Sequence, residues 1–246
     1  MRSPTRLVFA ILAAAALLVG ACSSDDDGGD DAAPITAESV LTDSATAMGS
    51  VESAAFQLSQ EGAPVPIDDA GQLLFIAADG RIARPSSADA VLTVDALGFT
   101  TEVGAIAIDG TVWFTNPLTG DWTEAPDTFT FDPALLFDPD EGFAGLLAEV
   151  SSTATLVDEA AESDGEDGPD GDGPWRRVEA AVSAERVEVL TGGLIGEGTT
   201  VDAWIDAETD RLSLLRFELP IGDELSSWRM TITDYGLEVD ITPPET

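Results

Sequence analysis

Across 246 residues the chain carries 47 acidic side chains against 10 basic ones, a formal charge of −37, and every basic residue is arginine. With no histidine, no lysine and Cys22 as the single cysteine, the Ser/His/Asp, Cys/His, Ser/Lys and His-based zinc arrangements cannot be assembled, so neither enzymatic activity nor a cofactor is expected. So acidic a surface repels nucleic acid and anionic headgroups alike, which excludes both as partners through bulk electrostatics.

The N-terminus has the layout of an export signal: Arg2 and Arg6, an apolar stretch from Leu7 to Val19, then small residues before Cys22. The stretch is too short to span a hydrocarbon core of about 30 Å. The run Leu18-Val19-Gly20-Ala21-Cys22 resembles a bacterial lipobox, in which the cysteine thiol is acylated, with palmitate among the expected chains, and becomes the new N-terminus. Residues 1–21 are thus expected to be removed. Residues 22–35, rich in Asp, Gly and Ser, form a solvated tether that holds the folded domain on the order of 20 Å from a lipid surface. The remaining residues, 36–246, read as one domain, because no second Pro/Gly/Ser linker divides them.

That domain opens with an amphipathic helix over residues 36–51, where Val40, Leu41, Ala45, Met48 and Val51 fall near helical spacing and Thr36 or Glu38 is available at the start. Between Ala54 and Thr123 come short β-prone runs: Phe56 and Leu58, Leu73–Ile76, Val91–Val94, Phe99–Val103, Ile106–Ile108 and Val112–Phe114. Turns are expected at Asp79-Gly80, Leu97-Gly98, Asp109-Gly110 and Thr119-Gly120, giving an antiparallel meander. Asp132-Pro133 and Asp138-Pro139 each pair a capping acid with a proline suited to a first helical position, so two helix starts are expected side by side. After the second, Phe143, Leu146, Leu147 and Val150 form one apolar face.

Residues 163–173 contain no apolar side chain other than proline and are expected to be a solvated acidic loop between strands Ala154–Val157 and Trp175–Val182. Asp164, Glu166, Asp170 and Asp172 are hard oxygen donors, but the closing glutamate of a calcium loop is missing. A glycosidase-type carboxylate pair is permitted by composition, and no pair stands out. The tail returns to strands at Thr200–Ile205, Leu212–Leu219, Trp228–Ile232 and Leu237–Ile241, with Val201, Ala203 and Ile205 set against Leu212, Leu214 and, after a shift at Leu215, Phe217.

The ordered segments GAPVPIDDAGQL (62–73), IAIDGTVWF (106–114) with Trp122 downstream, FDPALLFDPDEGFAGLL (131–147), TTVDAWIDAETDRLSLLRFEL (199–219) and ITDYGLEVDITPP (232–244) resemble the LprG/LppX group of actinobacterial cell-envelope lipoproteins, the LppX_LprAFG family. The resemblance implies an α+β fold: a strongly curved, half-open antiparallel β-sheet with helices on its concave side, enclosing an apolar cavity for the acyl chains of lipids or glycolipids. It also relates the chain loosely to carriers of the LolA/LolB kind. The expected role is carriage or presentation of lipid at the extracytoplasmic face of the cell membrane, through the acyl anchor and alongside a membrane lipid transporter. The alternative is a cavity-free accessory lipoprotein that binds another envelope protein through its sheet.

Candidate cavity-lining residues are Phe75, Leu92, Val94, Ile106, Ile108, Val112, Phe114, Leu136, Phe143, Leu146, Leu147, Val201, Ile205, Leu214 and Phe217. For any one of them the sequence leaves packed core as the equal alternative. Trp113, Trp122, Trp175, Trp204 and Trp228 read as core or rim packing before ligand stackers. The chain departs from the family in its acidic insertion and in lacking lysine, which leaves Arg81, Arg84, Arg186 or Arg229 as headgroup contacts.

Overall fold

A computed structural model describes residues 34–67, 71–125, 133–161, 168–170, 173–190 and 195–245. Cys22, the signal, the tether up to residue 33, Asp132 and most of the acidic loop lie outside the described residues. Every described element falls within Ile35–Thr246, one compact unit with its own core, which is the condition for independent folding.

Helix α1 (Ala37–Gly49) starts at a capping box: Ser39 N–H donates to Thr36 Oγ1 at 3.1 Å, while Thr36 N–H donates to Ser39 Oγ at 3.1 Å. Its buried stripe is Ala37, Val40, Leu41, Ser44 and Met48, the spacing of one helix face. The strands are β1 (Ser53–Gly62), β2 (Val65–Pro66), β3 (Leu73–Ala83), β4 (Ser87–Ala96), β5 (Phe99–Ile108), β6 (Thr111–Thr115), β7 (Trp122–Glu124), β8 (Thr155–Ala161), β9 (Trp175–Val182), β10 (Thr199–Asp206), β11 (Leu212–Ile221) and β12 (Glu224–Thr233). A 3-10 helix (Pro133–Phe137) and α2 (Phe143–Val150) come after β7, and α3 (Ala184–Leu190) after β9.

All twelve described strands join one antiparallel sheet in the order β7-β6-β5-β4-β3-β1-β12-β11-β10-β9-β8, with β2 alongside β3. The sheet does not close: β7 and β8 are its edges. The pairing is long-range only where β1 meets β12, which joins the first meander to the last. Alternation along each strand separates an inner face, packed against α1, α2 and the 3-10 helix, from an outer one. On β1, Ala54, Phe56 and Leu58 point inward, and the register carries this side to Ile82, Ala78 and Leu92 one way and to Ile232, Met230 and Leu215 the other.

Several expectations are corrected. Asp79-Gly80 lies inside β3, and the chain turns instead at residues 84–86. Gly80 is there for close approach: a Cβ would stand 2.5 Å from Phe56 Cζ and 2.6 Å from the Asp89 carbonyl oxygen. Leu237–Ile241 is not a strand, because both edges of β1 are already taken by β3 and β12; this segment instead accepts the Ser53 hydroxyl on the Leu237 carbonyl at 2.7 Å. Asp138-Pro139 does not begin a helix. The Asp138 carboxylate accepts from the N–H groups of Asp140 and Glu141, both at 2.8 Å, forming a turn, and α2 begins later at Phe143. In the β10/β11 hairpin the irregularity falls between Trp204 and Ile205, so Leu214 turns outward against Trp204 and the inner residues are Leu212, Leu215 and Phe217.

Candidate functional site

The inner face is largely apolar, and its side chains differ in how fully they are covered. Under α1 and α2 the side chains are closed off: Ile205 and Leu212 have no exposed surface, and Phe143, Ala144, Leu146, Leu147 and Val150 are all buried. Gly145 makes this helix seat possible, since a Cβ there would stand 1.8 Å from the Asp140 carbonyl oxygen of the turn beneath it. Arg186 of α3 then clamps the assembly. Its Nε donates to Glu149 Oε2 at 2.8 Å, and Nη1 donates to the Glu141 carbonyl at 3.0 Å.

Six large apolar side chains on the inner face and on the 3-10 helix over it remain only half-buried: Leu58, Leu92, Phe114, Leu136, Phe217 and Trp228. Three aromatic rings cross this region. Trp228 stacks on Phe75 with centroids 5.2 Å apart and 21° between planes, and on Phe217 at 6.1 Å and 4°. Gln60, paired with Trp228 across β1 and β12, turns its Nε2 to the Ala63 carbonyl at 2.8 Å and Ser226 Oγ at 2.9 Å. Trp228 Nε1 is shut off from solvent and has no hydrogen-bond partner among the described residues.

Of the candidate cavity residues, Phe75, Leu92, Val94, Val112, Phe114, Val201, Ile205 and Phe217 lie on the inner side of the sheet, and Leu136, Phe143, Leu146 and Leu147 lie on the elements that cover it. Ile106, Ile108 and Leu214 do not belong with them. Ile106 is paired with Asp89 and Trp113 and Ile108 with Ser87 and Thr111, all on the outer face, and Leu214 is buried there in a cluster with Trp204 and Trp175. The inner positions of β5 are taken by Val103, Ala105 and Ala107, with the 3-10 helix lying over the strand. Leu58, Gln60 and Trp228 are among the inner-face residues that the candidate set lacks, as are the buried Phe56, Ile82, Leu215, Met230 and Ile232. The alternation Trp228, Met230, Ile232 along β12 is the signal that marks Trp228 as inward.

None of the four arginines named as headgroup contacts reaches the half-buried region. Arg81 pairs with Asp89 on the outer face. Arg84 Nη2 donates to the Met48 carbonyl at 3.3 Å beneath α1. Arg186 is held by Glu149, and Arg229 Nη2 crosses the outer face to the Gly168 carbonyl at 2.7 Å. That last contact corrects the reading of residues 163–173 as wholly solvated: Gly168 and Pro169 are buried. Two hollows among the described residues open on the outer face. One, of about 360 Å³, is lined by Gln57, Pro169, Trp175, Arg211, Thr231 and Tyr235 among others. The second, of about 260 Å³, lies beside it around Ser59, Asp79 and Arg229. Polar side chains line much of both, which does not suit acyl chains.

A family model described as LppX_LprAFG lipoprotein matches residues 36–241. No curated protein matches the chain at a significant level. Among solved structures, the fold is similar to LprF from Mycobacterium bovis, with TM-score 0.60 and 18% identity over 85% of this chain and 97% of that one. It is also similar to the lipoprotein LppX from Mycobacterium tuberculosis, with TM-score 0.54 and 16% identity over 84% of this chain and 98% of that one. A LolA superfamily protein from Nitrosomonas europaea matches at TM-score 0.32 and 12% identity, over 84% and 95%. Among the described residues no helix is long and apolar enough to cross a membrane, and no cluster of three or more metal-ligating side chains occurs.

Proposed function

Since the chain belongs to the LppX_LprAFG lipoprotein family, we propose that it is a non-enzymatic lipid carrier of the cell envelope, which holds acyl chains of a lipid or glycolipid against the inner face of its sheet. The observation that carries this reading is the half-buried apolar region around Leu58, Leu92, Phe114, Leu136, Phe217 and Trp228, beside a core otherwise closed by helices. A two-chain lipid has about thirty methylenes worth about 0.8 kcal/mol each out of water, so passage through the aqueous envelope is prohibitive without a carrier. A carrier need only match the membrane, and a pre-formed apolar surface does so at little net cost. Acylation of Cys22 and the tether would keep the domain at the extracytoplasmic face of the membrane, within reach of a transporter that supplies lipid.

The test is to delipidate residues 35–246, incubate them with vesicles containing a fluorescently labelled two-chain lipid, and separate protein from vesicles. Lipid should leave with the protein, and Leu92→Asp should reduce the amount at least tenfold without loss of cooperative unfolding. A domain that acquires no label and carries no lipid on organic extraction would overturn the reading. The second reading, an accessory lipoprotein that binds an envelope protein through its sheet, has its own observation in the outer face. There Val91 is 46% exposed, on strands that also place Ile106, Ile108 and Trp113 outward.

A further inference from the structure

The five tryptophans divide unequally between the two faces. Trp113, Trp122, Trp175 and Trp204 lie on the outer side, whereas Trp228 lies on the inner side, and its Nε1 is the indole nitrogen left buried without an acceptor among the described residues. A buried indole N–H ordinarily has a partner, because leaving one unsatisfied forfeits the hydrogen bond it made to water in the unfolded chain. The ring cannot readily swing away to find one, since Phe75 and Phe217 stack on it. The neighbouring apolar side chains on the inner face, Phe75, Phe217, Leu58 and Met230, offer no oxygen or nitrogen acceptor, and Gln60, the cross-strand partner of Trp228, turns its amide Nε2 to the Ala63 carbonyl and Ser226 Oγ and makes no bond to the indole. A donor fixed in this way is complementary to an acceptor that arrives with an apolar molecule.

Resting on the lipid-carrier reading, we propose that Trp228 Nε1–H donates to the carbonyl oxygen of an ester-linked acyl chain lying on the inner face, and that this contact selects acyl esters over otherwise identical ether lipids. The acceptor is a neutral carbonyl because among the described residues each arginine is directed elsewhere: Arg81 to Asp89, Arg84 to the Met48 carbonyl, Arg176 to Asp210, Arg177 to Asp202, Arg186 to Glu149, Arg211 over the Tyr235 ring, and Arg216 and Arg229 opposite each other on the outer face. A carboxylate or phosphate placed among these rings would lose its hydration with no positive charge in return. An ester carbonyl carries no net charge and sits at the head of the chain whose methylenes the surrounding side chains would cover. An ether oxygen at the same position is a much weaker acceptor, so a matched pair of lipids isolates the hydrogen bond from chain burial.

The experiment compares a diacyl with a dialkyl phosphatidylcholine of equal chain length, presented to delipidated residues 35–246. The wild-type domain is expected to bind the diester about tenfold more tightly. Trp228→Phe, which keeps an aromatic ring between Phe75 and Phe217, should bind both lipids alike, at the affinity wild type shows for the diether. In wild-type protein labelled with nitrogen-15, the Trp228 indole resonance should move downfield with the diester and far less with the diether. Equal wild-type affinities together with an unmoved indole resonance would overturn the assignment of Trp228 while leaving lipid carriage intact. Binding of neither lipid would sink the carrier reading and this inference with it. The resonance is read on the wild type, so a Trp228→Phe variant that unfolds does not remove the test.

Discussion

The two faces of the sheet are made by alternate residues of the same strands, yet they are stabilised in different ways. The inner face forms one continuous cluster, from Ala54 and Phe56 through Ile205, Leu212 and Leu215 to the residues of α2. The outer face is divided. A small cluster of Trp175, Trp204 and Leu214 is separated from Ile106 and Trp113 by polar and charged positions, among them Arg216 opposite Arg229 and Arg81 beside Asp89. Where indoles occur on the outer face they are combined with charge: the Arg177 guanidinium lies 5.1 Å from the Trp204 ring centre while its Nε donates to Asp202. The inner face therefore gains its stability from apolar burial, which has no directional preference and can accept a second apolar partner. The outer face gains it from paired polar contacts that specify a solvated surface.

Truncating one isoleucine on each face gives the sharpest contrast. Ile205, with no exposed surface on the inner side, should cost about 2 to 5 kcal/mol as Ile205→Ala, because the lost transfer energy is joined by an unfilled cavity. Ile106, part-exposed on the outer side, should cost less than about 1 kcal/mol as Ile106→Ala. Denaturant unfolding of both variants measures the difference. Equal losses would mean that the outer apolar residues are core in their own right, and the division of labour between the faces would fail.

The next largest effect concerns residues 163–173. Replacing them with a short Gly/Ser turn removes the Gly168 carbonyl that Arg229 holds and the buried Pro169. A hydrogen bond from a charged donor contributes about 1.5 to 3 kcal/mol, and the replacement also removes Asp170, which lines the same hollow as Arg229. Stability should fall by about that amount with lipid uptake unchanged, because the contact lies on the outer face. Loss of lipid uptake in a folded variant would show that the two faces are coupled.

Much of this arrangement is legible in the sequence. The spacing of Val40, Leu41 and Met48 gives α1, and Leu97-Gly98 and Asp109-Gly110 mark hairpins because both residues of each pair adopt positive φ, as their turns require. The misses have physical causes. Gly80 resembles a turn residue, but its lack of a side chain serves the Phe56 ring from across the sheet, a contact that no local pattern records. Ile106 and Ile108 draw attention as the bulky members of an Ala-Ile-Ala-Ile run. The alanines nevertheless face inward, in register with Ala90 and Ala88 of β4, with the 3-10 helix lying over β5. The orphan indole of Trp228 is invisible in the sequence for the same reason, since it depends on the rings that two other strands place on either side of it.

Tyr235 gives a smaller effect with an unusually clean readout. Its hydroxyl donates to the Leu212 carbonyl, and burial raises the phenol pKa above the ordinary value, with Arg211 opposing the shift and Asp206 adding to it. A raised acid constant means that the neutral phenol's contribution to stability is complete below about pH 10 and is lost as the pH climbs from there toward the folded value. Tyr235 is the chain's single tyrosine and there are no lysines, so no other common side chain titrates from about pH 10 up to the onset of arginine titration. Tyrosinate absorbance should appear together with unfolding and not before it. Tyr235→Phe should cost about 0.5 to 1.5 kcal/mol at neutral pH and flatten the alkaline fall in stability. A phenol that titrates at its ordinary pKa in folded protein would refute the burial argument.

The smallest effect should come from the outer ion pair of Arg81 and Asp89. The two side chains are 49% and 23% exposed, and the two residues face each other across β3 and β4 in a directly opposed register. Water competes for both groups, and holding the arginine in one geometry costs rotamer entropy, so exposed pairs of this kind contribute about 0 to 1 kcal/mol. Arg81→Gln should therefore change stability by no more than about 0.5 kcal/mol, and raising the salt concentration should erase the difference between variant and wild type, because screening already weakens the pair it removes. The result bears on the outer face as a whole. If the loss exceeded about 1 kcal/mol and persisted in high salt, the pair would be behaving as a desolvated contact. The outer side of β3 and β4 would then be acting as a covered surface, as the protein-binding reading requires, and not as the solvated side of a lipid carrier.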